Sequence, residues 1–236
     1  SFFYLRRSPQ QRPVSVTLHP APDPTAHYQC TFHADRACFD ATWPDVQART
    51  TVWVSPEDDI EFRQVELSNP GDDDIEIELI SAFEIALSDA RADEAHPAFG
   101  NLFVQARWQA DHQALVFART PRLATERATR VAHFLAESDS PLVSISAQAD
   151  RQVWLGRNQD VSQPRSAFPA QAPHAAQADD AGGDRPLETG LDPVCALVLR
   201  LRIARRSNVR LTFATAAADD ADTLHAVIDK YHQPSH

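Results

Sequence analysis

The chain has no methionine, only 6 glycines and only 3 cysteines in 236 residues. An odd, sparse cysteine count argues against a disulfide framework and points to a reducing, cytoplasmic setting. Glycine is scarce for a chain that must turn often, so turns fall to clusters such as Ser55-Pro56, Asn69-Pro70-Gly71-Asp72 and Asp139-Ser140-Pro141. No apolar run approaches the ~18 residues that cross a bilayer, so no direct membrane insertion is expected. Basic residues are outnumbered, and the net charge of −11 argues against nucleic acid, whose phosphates are held by clustered Lys and Arg. It also disfavours anionic membrane surfaces, and leaves neutral partners such as sugars untouched. The opening Ser1–Arg7 places its arginines after the apolar residues, the reverse of a signal peptide. Without an initiator methionine, the chain is expected to be a fragment of a larger protein. G-x-S-x-G, a phosphate-binding glycine loop and H-E-x-x-H are all missing.

What is present is alternation. The 43% apolar and 23% charged content is that of a globular protein. Ile75, Ile77, Leu79, Phe83, Ile85 and Leu87 share one parity, with Glu76, Glu78 and Glu84 on the other. That pattern predicts a strand with one buried and one wet face. Cys195–Ile203 and Val209–Phe213 repeat it, with Arg200, Arg202, Arg210 and Thr212 outward. Further strands are expected at Val14–His19, Tyr28–Phe32, Arg36–Thr42, Arg49–Val54 and Ile60–Leu67. Parity slips between Phe62 and Val65, which predicts a bulge there. Others are expected at Leu102–Trp108, Ala114–Ala118, Val131–Ala136, Leu142–Ala147 and Gln152–Leu155. So many short strands predict an antiparallel β-sandwich or barrel, as one domain over 1–236. Residues 157–190, rich in Pro, Ala, Gln and Asp without periodicity, read as a long loop or disordered insertion. Residues 220–231 read as a C-terminal helix, with Leu224, Val227, Ile228 and Tyr231 on one face and Pro234 beyond its end.

The residues that carry chemistry are weak on inspection. His27, Cys30, His33 and Cys38 have zinc-like spacing. Along a strand, however, His27 and His33 lie ~20 Å apart, too far to share one ion. No metal and no cofactor are expected. Cys30 and Cys38 could face each other across a hairpin, although buried free thiols are the expectation. The acid runs Glu57–Asp59 and Asp72–Asp74 read as solvated turns, and glycoside hydrolysis would need two carboxylates ~5–10 Å apart. Trp43, Trp53, Trp108 and Trp154 read as core rather than as a sugar platform.

Several motifs occur in a telling order: Val52–Asn69, Ser81–Leu87, His96–Gln105, Leu155–Asn158, Gly190–Cys195 and the closing helix into Lys230-Tyr231. In that order they resemble the cyclic β-1,2-glucan synthetases, relatives of the cellobiose and chitobiose phosphorylases in glycoside hydrolase family 94. The resemblance covers nearly the whole chain. It implies a supersandwich of the galactose-mutarotase-like kind, preceding a catalytic (α/α)6 barrel that lies outside this chain. The implied role is accessory: non-catalytic scaffolding, with β-glucan oligosaccharide, the catalytic barrel and a second copy as possible partners. The implied parent is an enzyme of β-glucan synthesis or phosphorolysis, anchored in the bacterial inner membrane. The alternatives are an autonomous carbohydrate-binding module and a protein-interaction or dimerisation sandwich. Candidate sugar contacts are His96, Phe99 and Asn101 in a loop between strands, with Arg157 and Asn158. The competing reading has Phe99, Leu102 and Phe103 plugging the core, His96 capping a turn, Gly156 supplying a special backbone angle and Arg157 a structural hydrogen-bond fork.

Overall fold

A computed structural model describes residues 1–8, 11–121, 126, 128–157, 159–164, 176–177 and 183–233. In chain order the strands begin β1 Phe2–Arg6, β2 Val14–Ser15, β3 His27–Phe32, β4 Ala37–Thr42, β5 Gln47–Val54, β6 Ile60–Asn69 and β7 Ile75–Glu84. Two short helices follow, α1 Ala90–Ala95 and α2 Pro97–Asn101. Then come β8 Val104–Gln109, β9 Ala114–Arg119, β10 Arg130–Ser138 and β11 Leu142–Asp150. After helix α3 Arg151–Leu155 come β12 Ala176–Gln177, β13 Arg185–Leu187, β14 Pro193–Ile203, β15 Ser207–Ala218 and helix α4 Ala221–Tyr231. They form a six-stranded sheet in the order β12-β11-β14-β7-β1-β2 and a nine-stranded sheet in the order β13-β8-β9-β10-β15-β6-β5-β4-β3. The expected antiparallel sandwich with a short C-terminal helix is what the chain builds.

The inner faces of the two sheets meet in the main core, where Leu5, Ile77, Leu79, Leu197 and Leu199 pack with Val65, Leu67, Phe117, Leu211 and Phe213. Each sheet also buries part of its outer face. On the six-stranded sheet Tyr4, Ile80, Ala82, Ala196 and Val198 are covered by Trp154 and Leu155 of α3. On the nine-stranded sheet Ile60, Phe62, Phe134, Ala214 and Ala216 are covered by Leu224 and Ile228 of α4. Each of those two helix residues contributes about 2 kcal/mol by its burial. Asp220 caps α4 by accepting from the Thr223 N–H at 2.8 Å. Lys230 clasps its far end, bonding Glu57 at 3.1 Å and Asp58 at 2.7 Å.

This two-faced burial corrects several expectations. There is no bulge at 62–65, because β6 keeps unbroken register with both β5 and β15. Parity changes because Ile60 and Phe62 face α4 while Val65 and Leu67 face the main core. A register shift lies instead in β10, between Leu135 and Glu137. Gln152–Leu155 is helical rather than extended, because the Asp150 carboxylate accepts from the N–H groups of Gln152 and Val153 and nucleates a turn. Only Val14–Ser15 of the expected 14–19 strand pairs. Cys30 is exposed, not buried, and lies opposite Phe39, while Cys38 lies opposite Thr31; the two thiols point to opposite faces. Trp43, Trp108 and Trp154 are core, and Trp53 is partly buried against Phe62. Within 157–190, β13 extends the nine-stranded sheet by pairing with β8, and β12 pairs with β11. Asn158, Pro234 and most of 165–182 lie outside the described residues.

Two polar features sit inside this packing. Glu78, expected to face water, is only 5% exposed. It stands in register between Arg6 of β1 and Arg200 of β14, and bonds both guanidiniums. His133 of β10 joins the sheets: Nε2 meets Ser81 Oγ of β7 at 2.9 Å, and Nδ1 meets Thr215 Oγ1 at 2.9 Å. Its ring stacks on Phe213. Burial, with Arg63 nearby, pushes its pKa down from 6.5 to about 3.

The depressed His133 pKa ties stability to pH. The unfolded chain takes up this proton first, so stability is full above pH 6.5 and falls as pH drops towards 3. At pH 5 the loss from this group is about 2 kcal/mol. Urea unfolding at pH 5 and 7.5 measures it, and His133→Gln is expected to flatten the difference; an undiminished pH slope in the variant contradicts the assignment. Separately, Glu78→Ala is expected to cost about 3 kcal/mol, because it leaves guanidiniums beside a buried face. Glu76→Ala, two residues away and exposed, is expected to cost under about 0.5 kcal/mol. Equal effects in chemical denaturation would refute the burial of Glu78.

Candidate functional site

Three of the sequence-predicted residues, His96, Phe99 and Asn101, lie together where α1 and α2 lead into β8, at one side of the nine-stranded sheet. Asp89 caps α1, its Oδ1 accepting from the Arg91 N–H at 3.0 Å. The helix ends at His96, the residue before Pro97, and Pro97 opens α2 in the position that suits its missing N–H. The expected loop is therefore two helical turns. Phe99 and Leu102 are 47% and 57% exposed, so they do not plug the core. Phe99 instead lies edge-on to Phe103 at 5.5 Å. His96 is exposed and its side chain does not cap α2.

Asn101 reaches a different part of the chain, donating from Nδ2 to the Leu191 carbonyl at 3.3 Å. Leu191 is itself 62% exposed. The turn that carries it depends on Gly190, at φ +59°, where a Cβ would lie 2.7 Å from Asp150 Oδ2. A side chain there would collide with the carboxylate that caps α3. Arg151 closes the assembly: its N–H donates to the Asp192 carbonyl at 3.0 Å, its Nε to Glu84 Oε1 at 2.9 Å, and its Nη1 lies 3.4 Å from Asp192 Oδ2. Burial pushes the Asp192 carboxyl up, Arg151 pulls it back, and Glu84 and Asp150 push it further up.

These carboxylates are not arranged for acid–base work. Asp150 is occupied as a helix cap, and Glu84 and Asp192 share the one guanidinium of Arg151. Phe99, Asn101 and Leu191 are thus brought together. Arg157 is exposed beyond the far end of α3, after Gly156 at φ +83°, and among the described residues no bond joins it to α2. Gly190, Leu191, Arg151 and Asp192 carry no mark of a site in the strand pattern itself. A glycine before Leu-Asp-Pro was the available signal for a left-handed turn.

A second concavity had no sequence signal. At the opposite edge of the nine-stranded sheet, β3, β4 and β5 run past the short β2, and their inner face is only partly roofed by residues 16–19. Two hollows of about 270 and 390 Å³ adjoin there, sharing Thr17 and Phe39. Tyr28, which lines the smaller hollow, accepts from the Asp23 N–H at 3.1 Å, and the Asp23 carboxylate accepts from the Thr25 N–H and hydroxyl, Trp43 Nε1 and Arg7. Burial alone would raise the Asp23 carboxyl, but those donors hold it below its ordinary value. Among the described residues no three His, Cys, Asp or Glu side chains are placed to hold a metal ion, and no helix is long and apolar enough to cross a membrane.

Comparison with known proteins follows this geometry. The chain is 27% identical over 236 residues to the cyclic beta-(1,2)-glucan synthase NdvB of Rhizobium meliloti (strain 1021), covering 99% of this chain but 8% of that protein's length. Among solved structures, a polysaccharide lyase aligns with 98% of this chain and 27% of its own, at 10% identity and a TM-score of 0.44. A family GH92 alpha-mannosidase from Bacteroides thetaiotaomicron aligns with 97% and 26%, at 8% identity and a TM-score of 0.38. The profile of the glycosyl hydrolase 94 supersandwich domain matches residues 1–234, end to end across both sheets, and the chain belongs to that family.

Proposed function

We propose that this chain is a non-catalytic accessory domain of a larger enzyme acting on β-glucan, and that its rim of Phe99, Leu102 and Leu191 packs against the remainder of that enzyme. The observation that carries the reading is the rim itself: three large apolar side chains, each about half exposed or more, two at the end of α2 and one on the Gly190 turn, braced by Asn101 and Arg151. Exposed apolar groups held rigidly together are the usual mark of an interaction surface. The family supports the choice of partner, because the chain spans so small a part of its glucan-synthase relative. The catalytic machinery belongs to the absent portion, and β-glucan synthesis or phosphorolysis at a membrane-anchored, cytoplasm-facing enzyme is the activity it serves. His96, Phe99 and Asn101 are the candidates at this surface for contact with a glycan held by the neighbouring domain, and Arg157, exposed beyond α3, is a separate candidate.

The test has two arms. Incubated with β-1,2-glucan, with and without phosphate, the isolated chain is expected to release no product; turnover would overturn the reading. In the full-length parent, Phe99→Asp together with Leu191→Asp is expected to cut glucan output at least tenfold. The isolated domain should keep its unfolding midpoint, since both side chains are exposed. Undiminished output would show that the rim is not the contact.

A further inference from the structure

We propose that the groove under β3–β5 is a binding site for a neutral saccharide, which lies on Phe39 and hydrogen-bonds Thr50. This rests on the reading of the domain as carbohydrate-associated, and places glycan contact at the sheet edge opposite the rim. The two adjoining hollows together fall within the roughly 300–1,000 Å³ of small-ligand sites. Their walls carry the aromatic residues Phe39 and Tyr28, which offer apolar faces of the kind against which the C–H side of a sugar ring packs.

Polar character is sparse and specific. Thr50 lines the larger hollow, is 1% exposed, and its Oγ1 has no hydrogen-bond partner. A buried hydroxyl left unpaired is costly, and nothing in the strand requires one: valine fits the same inward position with less penalty. A ligand hydroxyl answering Thr50 accounts for it. The Arg and Asp side chains lining the groove are each paired, Arg63 with Glu61 at 2.6 Å and Asp40 with Arg49 at 2.7 Å, while His19 and Ser1 also line the larger hollow. Neither of these two paired side chains calls for a charged ligand. A ligand that is uncharged, apolar on one face and hydroxylated at its edge is a sugar. The lip is also strained, with Leu18 at φ 74°, a left-handed backbone that leucine adopts only under constraint.

Cys30 lines the smaller hollow and is exposed, whereas Cys195 is buried. In a Cys38→Ser background, iodoacetamide labelling therefore reports on groove occupancy, and calorimetry with linear β-1,2- and β-1,4-linked gluco-oligosaccharides gives affinity. A bound oligosaccharide is expected to slow Cys30 alkylation several-fold. Phe39→Ala is expected to weaken binding about tenfold, and Thr50→Val a few-fold without lowering the unfolding midpoint. Phe99→Ala is expected to leave binding unchanged. Binding that leaves Cys30 reactivity and both groove variants unaffected overturns the groove while the accessory reading stands. Absence of binding by either oligosaccharide also overturns it. Failure of the accessory reading is read separately, in the glucan output of the parent.

Discussion

The register of β7 against β14 is the constraint on which the rest of the sandwich depends. The pairing runs without a break from Glu84 opposite Val194 to Ile75 opposite Ile203. A slip of one residue would exchange the faces of a strand, because side chains alternate with period two. It would turn Leu197 and Leu199 away from the main core and bring Arg200 towards it. The row of Arg6, Glu78 and Arg200 marks the correct alignment, since only that register sets the carboxylate between two guanidiniums. Once this ladder is set, the nine-stranded sheet has one face to pack on, and Ser81 is placed to meet His133 across the interface.

Sequence patterning was most legible where one side of a strand is buried and the other is wet. Val209 and Leu211, on either side of exposed Arg210, are of this kind, and so are the amphipathic positions of α4, whereas Thr212, expected to face outward, is buried. It misled where a second layer covers the outer face. A slip of parity at Phe62–Val65 looks the same in sequence whether it is a bulge or a change of packing partner; only the presence of α4 distinguishes them. Glu78 shows the same limit, because an acid on the polar parity of a strand carries no local sign that two arginines from distant strands will enclose it. The 152–155 segment failed for a local reason: an aspartate cap outweighed the strand preference of Val153 and Trp154. At the rim, Phe99 and Asn101 were legible as candidates, while their partner Leu191 arrives from some ninety residues away. The groove was invisible, because it arises from unequal sheet widths.

That inequality also separates two kinds of surface. The rim sits on the β8 side and the groove on the β3 side, with six strands between those two in the nine-stranded sheet. One is convex, apolar and braced by an arginine; the other is concave, aromatic and contains a buried hydroxyl. With six strands between them, one surface could be covered while the other stays open.

The clasp that fastens α4 also has a practical consequence. Lys230 is the sole lysine of the chain, its cationic charge made up elsewhere by arginine. Its amine is held protonated by Asp58 and Glu57, and Tyr231 beside it donates to Asp58 at 2.8 Å. An acylating reagent consequently finds a single side-chain amine, and finds it in its least nucleophilic form while the helix is seated. The molecule thus carries its own chemical reporter for whether that helix is docked.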